Sequence, residues 1–437
     1  MRGFLKIFVS AACGAILWLT GLQGAPALQS KHGATPLFTG VENSVFCGYQ
    51  AWYRCPQDGS NKNWKHYAHK SFSPQDCTID FWPDVSEYIN TFETPFNNKD
   101  NSGARVFSSY DPQVIDTHFK WMAEHKIKGA FLQRFFRHLE NPDETEIVKN
   151  CLASAKKHGV ALILMYDLSG LKDGEDTAPP LIDNWKRMVD EIGLTAGDNS
   201  AYMTLKGRPL VAIWGIGFKD RPYNAESCGI EKFLKFLKQD PQYGNCAVML
   251  GVPAFFRTLE GDALPDEGMH ALIKKYADIV SPWNVGRYVL KGKTAQCGSG
   301  ALEDIVRADK KWCDKLKIAY MPVIYPGFSW HNMHRDDEPV PPMNQIPRAN
   351  GEFYMRMAEG AARGGANALY VAMFDEMDEG TAIFKCASVP PNSAACRFLD
   401  YEGQPSDYYL KLTKSIAKAL EAAKTPKFEK PPKPQTK

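Results

Sequence analysis

Glu376 and Glu379 stand in the segment MFDEMDEGT, residues 373–381, where Asp375 and Asp378 bring the total to four carboxylates in five positions. Cleavage of a glycosidic bond uses two carboxyl groups, one to protonate the leaving oxygen and one to activate or supply a nucleophile. A three-residue spacing serves that purpose only if the chain turns. On a continuing strand the two side chains would lie on opposite faces, about 10 Å apart at roughly 3.3 Å per residue. Across a turn they would share one side at roughly 5–6 Å. Gly380, and the end of the apolar run GANALYVAMF that leads into the cluster, favour the turn. Acids this crowded do not all ionise freely, so at least one carboxyl is expected to keep its proton near neutral pH, as a general acid must. Solvated loop acids, and a calcium site built from carboxylate oxygens, are the alternatives that the cluster alone leaves open.

Aromatic residues supply a second constellation. Sugar rings carry apolar C–H faces that stack on Trp and Tyr, while their hydroxyls need well-placed polar partners. GYQAWY offers Tyr49, Trp52 and Tyr53; NWKHYAH offers Trp64 and His66; YPGFSWHNMH offers Tyr325, Trp330, His331 and His334. Asp167 and Trp214 close two further apolar runs and join the candidate sugar-binding set, together with Asp375 and Asp378 beside the glutamates. Gln133, Arg134 and Asn284 occupy equivalent run ends. His331 and His334 form a His-x-x-His pair, but neither a suitably spaced Glu nor a third ligand accompanies them, so no metal is expected. LSG after Asp167 is not a nucleophile elbow. No cofactor is implied.

The elements that must hold these residues follow from the hydrophobic pattern. Eight apolar runs, SVFCGYQAWY, KGAFLQRFF, VALILMYD, RPLVAIWGIGF, CAVMLGVP, DIVSPWNVG, IAYMPVIYPGF and ALYVAMFDE, alternate with segments of helical period. The helix opening at Asp111-Pro112 is the clearest, with a capping acid, a proline suited to the first turn, and Ile115, Phe119 and Met122 on one face. The last begins near Ser406 with Tyr409, Leu412 and Ile416 on a stripe. Eight strands alternating with helices predict a closed α/β barrel of the (β/α)8 type, a single catalytic domain, over a doubly wound open sheet. No Gly-x-Gly-x-x-Gly follows the first run, which removes the dinucleotide-binding form of the open sheet. In a barrel the polar and aromatic run ends converge on one mouth, where this fold keeps its active sites. Residues from about 54 to 110 form a long connection after the first strand, of the kind that covers or shapes a site.

The 437-residue chain is 44% hydrophobic with a net charge of +2, enough to bury a large core and without the basic stripe that nucleic acid or an anionic membrane would require. Residues 1–27 read as an export signal: Arg2 and Lys6, then the uncharged IFVSAACGAILWLTGL, then small residues around Ala25-Pro26-Ala27. The stretch is shorter than the roughly 20 apolar residues that span a bilayer. A secreted or periplasmic monomer without membrane contact is expected, with residues 28–423 as the barrel domain and the Lys- and Pro-rich 424–437 as a disordered tail. Loss of the signal would leave ten of the eleven cysteines, an even number that suggests disulfides in an exported chain. Cys386 with Cys396, and Cys47 with Cys55 or Cys77, are the local pairings considered. No Cys-x-x-Cys occurs.

GYQAWY…DGSNKNWKHY, YPGFSWHN and FDEMDEGTAIF, in that order across most of residues 44–385, resemble the family 99 and family 71 glycoside hydrolases, which include endo-α-mannosidases. The resemblance implies a carbohydrate substrate and retaining hydrolysis without a cofactor. Where the endo-α-mannosidases carry Asn-Glu-Trp-His-Glu-Gly-Thr, this chain has Asp375-Glu376-Met377-Asp378-Glu379-Gly380-Thr381. Carried over, Glu379 is the general acid/base. Glu376 is the base that draws a proton from the sugar 2-hydroxyl, so that this oxygen attacks the anomeric carbon and a 1,2-anhydro sugar forms. Tyr49 or Tyr53, and Tyr325, match aromatic positions lining the family's sugar site. Met377, Asp378 and Asp375 replace the family's Trp, His and Asn, which leaves a sugar other than mannose open, and an inactive carbohydrate-binding barrel is the rival reading.

Overall fold

The computed structural model describes residues 29–422, apart from 34, 197–199 and 392. The expected signal and tail lie outside the described residues. Each of the eight apolar runs is a strand: β1 (Ser44–Tyr49), β2 (Ile127–Phe135), β3 (Ala161–Asp167), β4 (Arg208–Trp214), β5 (Ala247–Pro253), β6 (Ile279–Trp283), β7 in two short pieces (Ala319–Tyr320 and Val323–Ile324) and β8 (Ala368–Val371). A helix follows each: α1 (Pro112–Glu124), α2 (Pro142–His158), α3 (Ala178–Glu191), α4 (Ile230–Gln239), α5 (Gly268–Tyr276), α6 (Leu302–Lys315), α7 (Glu352–Arg363) and α8 (Tyr408–Ala422). The main strands pair in parallel in chain order, and the ring closes through β7, whose first piece pairs with β6 and whose second pairs with β8. The fold is a (β/α)8 barrel. Its strands are buried on both faces, as parallel strands between a packed lumen and a helical shell must be.

Local chemistry sets the helix ends. Asp111 caps α1, its carboxylate accepting from Gln113 N at 2.8 Å, Pro112 occupies the first turn, and Ile115, Phe119 and Met122 face inward. Gly159 stops α2 with φ +68°. Tyr409, Leu412 and Ile416 form the buried stripe of α8.

The long connection after β1 carries an antiparallel hairpin (Phe92–Asn97 with Gly103–Val106) and packs against the barrel's C-terminal mouth. Asp80 anchors it. Its backbone N donates to Met377 O at 3.0 Å, and its carboxylate accepts from His331 N at 2.9 Å and Asn332 N at 2.8 Å, which joins the loops after β1, β7 and β8.

The disulfide expectation is corrected: all ten cysteines among the described residues are free. The fold sends the two partners of each expected local pair to different neighbours. Cys386 lies against the Tyr401 hydroxyl at 3.2 Å, Cys396 against Arg335 Nη2 at 3.3 Å, Cys55 against Phe107 O at 3.2 Å and Cys47 against Gly129 O at 3.9 Å. No helix of the described residues is long and apolar enough to cross a membrane.

Candidate active site

After β8 the chain runs on to Glu376 and turns over residues 377–380. Ala382 N closes the loop onto Glu376 O at 2.9 Å. Gly380 sits at φ +63°, and a Cβ there would stand 2.8 Å from the backbone N and O of Ser329, so both conformation and close approach call for glycine. Ser329 N donates to Glu379 O at 2.9 Å, and the buried guanidinium of Arg348 donates from Nη2 to Gly380 O at 2.8 Å and Ala382 O at 2.7 Å. The turn is therefore fixed from two sides.

That turn brings the side chains of Glu376 and Glu379 to one cleft of about 290 Å³ at the C-terminal mouth. Asp167 at the end of β3, Trp214 at the end of β4 and Trp52 after β1 share it, with Gln50, Gln133, Phe135, Ser169, Arg221 and Trp283. Trp214 and Trp283 meet edge to face at 5.4 Å, and the Arg221 guanidinium covers the Trp214 ring at 5.2 Å. Gly251 on β5 makes room for this platform, since a Cβ there would stand 2.6 Å from Trp214 Cδ1. Trp52 is sandwiched between His66, parallel at 3.8 Å, and Phe135 at 5.6 Å.

Glu376 is buried and held by two donors, Gln50 Nε2 to Oε1 and Thr381 Oγ1 to Oε2, both at 2.8 Å. Glu379 is partly exposed in the cleft. Burial first, and then the negative neighbours Glu379 and Asp378, hold the Glu376 carboxyl well above the usual range. Burial first, then Asp378 and Asp167, push Glu379 up to about 7, against a smaller downward pull from Arg221. Burial likewise raises Asp167 to about 6, opposed by hydrogen bonds from Ser169. Burial thus shifts three carboxyls of one cleft upward, with a single arginine to oppose it.

The other expected site residues divide by direction. Asp375 is buried and takes backbone N–H groups from Gln50 at 2.9 Å and Ala51 at 2.8 Å, clamping β8 to β1 instead of facing the cleft. Tyr49 is buried against α1, its hydroxyl 2.8 Å from His118 Nδ1. Tyr53 is buried beneath the turn, donating to Asp378 Oδ1 at 2.9 Å and accepting from Met377 N at 2.8 Å. Tyr325 bonds the Tyr288 backbone, donating to its O at 2.7 Å. These four correct the expectation of ring or carboxylate contact with a sugar in this cleft: each is turned outward from the mouth, into the shell or under the loops. Trp330 packs on Phe328 and His334, and His331 points to Pro341 O at 2.7 Å, so neither lines the cleft. Trp64 and Asp378 line a neighbouring hollow. His334 pairs with Asp337, and no group of three or more potential metal ligands occurs among the described residues.

Gln50, Phe135, Ser169, Arg221 and Trp283 are cleft residues that the sequence reading passed over. Strand parity would have found the first two and Trp283: side chains alternate, so 50 and 52 face the mouth while 49 and 53 face out, and Trp283 takes the place expected for Asn284. Asn284 instead donates to Val323 O at 2.8 Å, tying β6 to β7. Arg221 comes from the loop after β4 and carries no periodic signal.

A profile described as Glycosyl hydrolase family 99 matches residues 297–422, which include α6 through α8 and the acidic turn. Over 410 residues the chain is 23% identical to a glycoprotein endo-alpha-1,2-mannosidase-like protein of Danio rerio, spanning 87% of this chain and 79% of that one. It is 22% identical over 397 residues to the glycoprotein endo-alpha-1,2-mannosidase of Rattus norvegicus, spanning 85% and 73%. The fold matches the GH99 endo-alpha-mannosidase from Bacteroides thetaiotaomicron with a TM-score of 0.61 at 17% identity, over 87% of this chain and 98% of that one. In sequence and in fold the chain is thus similar to the family 99 endo-α-mannosidases.

Proposed function

We propose that the protein is a retaining glycosidase of oligo- or polysaccharides in which Glu376 and Glu379 carry the reaction. The observation that supports this reading is the meeting of both carboxyls in one aromatic-walled cleft. Two acids this close share protons: ionising one raises the cost of ionising the other. The donors from Gln50 and Thr381 favour the negative form of Glu376, whereas no hydrogen bond among the described residues reaches the Glu379 carboxyl. On this reading Glu379, which is open to the cleft, is the general acid, and Glu376, oriented by Gln50 and Thr381, is the base.

In the first step Glu376 takes the proton of the sugar 2-hydroxyl. That oxygen bonds to the anomeric carbon, the glycosidic bond breaks, and Glu379 protonates the departing oxygen. In the second step Glu379 takes a proton from water, which opens the 1,2-anhydro sugar, and Glu376 returns its proton to the 2-oxygen. Two inversions leave net retention. Trp214 and Trp283 supply aromatic surface, Trp52 walls the cleft, and Asp167, Gln133 and Arg221 supply hydroxyl partners. Mannose in α-linkage is the first sugar to test, since the relatives include a glycoprotein endo-alpha-1,2-mannosidase. Export through the N-terminal leader belongs to the same proposal and is checked by the N-terminal sequence of protein recovered outside the cytoplasm.

The test is Glu379→Gln on an α-mannan oligosaccharide the wild type cleaves. Turnover should fall by at least about 10³-fold with binding retained. Undiminished turnover would overturn the assignment. Proton NMR of the first product gives the stereochemistry, and an inverted anomer would refute the two-step route.

A further inference from the structure

Beside the cleft lies a second hollow of about 480 Å³, lined by Lys62, Trp64, Lys65, His66, Lys70 and Asp378, among others. The two share a wall: His66 lies parallel to Trp52, which lines the cleft, and Asp378 sits in the turn between the glutamates. A saccharide extending past Trp52 would meet the hollow next.

The charge here is lopsided: Lys62, Lys65 and Lys70 line the hollow against one lining carboxylate, Asp378. Behind the lining, Arg54 and Arg134 join Lys62 and Lys65 around two carboxylates at the start of α2, Asp143 and Glu144. Arg54 Nη2 is 3.9 and 3.7 Å from them, Lys62 Nζ is 3.7 Å from Asp143, and Lys65 Nζ and Arg134 Nη1 are 3.3 and 3.8 Å from Glu144. Arg54 and Arg134 are 0% and 2% exposed, and the Nε and Nη2 atoms of both lack a hydrogen-bond partner. The hollow's own acid is committed elsewhere, Asp378 Oδ1 to the Tyr53 hydroxyl at 2.9 Å and Oδ2 facing His66 Nδ1 at 3.4 Å. Lys62 and Lys70 stand exposed at the rim, with the N-terminal end of the α2 dipole behind the cluster. Three lining lysines backed by two buried guanidinium groups favour an anion in this partly enclosed space over a neutral group.

We propose that this hollow is a subsite for an anionic substituent, a sulfate ester or a carboxylate, on a sugar neighbouring the cleaved bond; the proposal rests on the glycosidase reading above. Trp64 and His66 provide ring faces for the sugar, and the lysines provide charge-assisted hydrogen bonds for the substituent.

The experiment uses the full-length Glu379→Gln protein and calorimetric titration at low salt with three probes: a neutral α-mannan oligosaccharide, the same oligosaccharide O-sulfated, and the same oligosaccharide oxidised at C6 to the uronate. At least one anionic form should bind about tenfold tighter than the neutral one, and which form gains identifies the substituent. Adding Lys62→Gln and Lys70→Gln, both surface changes, should remove the gain without altering neutral binding. The proposal is overturned if all three bind alike, if none binds, or if the preference survives the lysine changes. Wild-type cleavage is scored separately. Cleavage of the neutral probe without anionic preference removes the subsite and keeps the glycosidase reading, whereas anionic preference without cleavage of any probe does the reverse.

Discussion

Gln50 donates its side-chain amide to Glu376 Oε1 at 2.8 Å while its backbone N–H bonds Asp375 Oδ1 at 2.9 Å, so one residue beyond β1 holds two consecutive carboxylates beyond β8. The backbone bond survives any substitution that keeps the fold; the amide bond does not. Gln50→Ala should lower kcat about 10- to 100-fold with a much smaller change in KM, because an oriented base acts mainly in the transition state. Steady-state kinetics on a cleaved oligosaccharide checks this, and a pure KM effect would show that Gln50 touches substrate only.

The pH dependence has a definite sign. Glu379 must be protonated to act as the acid, and burial holds it at about 7, so activity should decline as pH rises through about 7. Arg221 pulls that value down; Arg221→Ala should therefore move the declining limb to higher pH. A limb that moves to lower pH would contradict the electrostatic assignment.

The same raised value has a stability consequence. Relative to an unfolded carboxyl near 4.3, Glu379 gives stability that is full below the unfolded value and lost as pH rises through about 7. Its neutral isostere escapes that loss. Glu379→Gln should raise Tm near pH 8.5 and leave it unchanged near pH 4, a comparison that differential scanning calorimetry makes directly.

Trp214 and Tyr325 separate sugar contact from scaffolding. Trp214→Ala removes part of the cleft platform and should raise KM up to about 10-fold, in line with roughly 0.5–1.5 kcal/mol for a stacked ring. Tyr325→Phe should leave KM alone and cost about 1–3 kcal/mol in denaturant unfolding, because it strands the Tyr288 carbonyl.

Arg348 is a positioning residue. It lies 4.4 to 5.0 Å from the rings of Phe81, Tyr401 and Tyr409 while donating to both carbonyls that flank Thr381. Lysine keeps the charge and loses the planar fork. Arg348→Lys should destabilise the fold by about 3 kcal/mol and lower kcat in the fraction that remains folded, with the alkaline limb of the pH profile displaced as Glu379 shifts. An unchanged profile would confine Arg348 to stability.

The eight strands, their helices and the turn at Gly380 were legible in the chain itself, because alternating apolar runs and helical stripes are local patterns with a fixed period. So were Glu376, Glu379, Asp167, Trp52 and Trp214 as occupants of one barrel mouth, since each lies at or just beyond a strand end. The outward direction of Tyr49, Tyr53, Tyr325 and Asp375 was not legible: a shift of one residue reverses a side chain, and Asp375 spends its charge on backbone N–H groups of a strand 325 positions away. Nor could spacing reveal Arg221, Trp283 or the uncompensated cations around Glu144, which meet only when separate loops and strands close the ring. Sequence determines the period and the kinds of residue; the closed barrel decides which side chains share a cavity and how far burial and neighbouring charges move their protons.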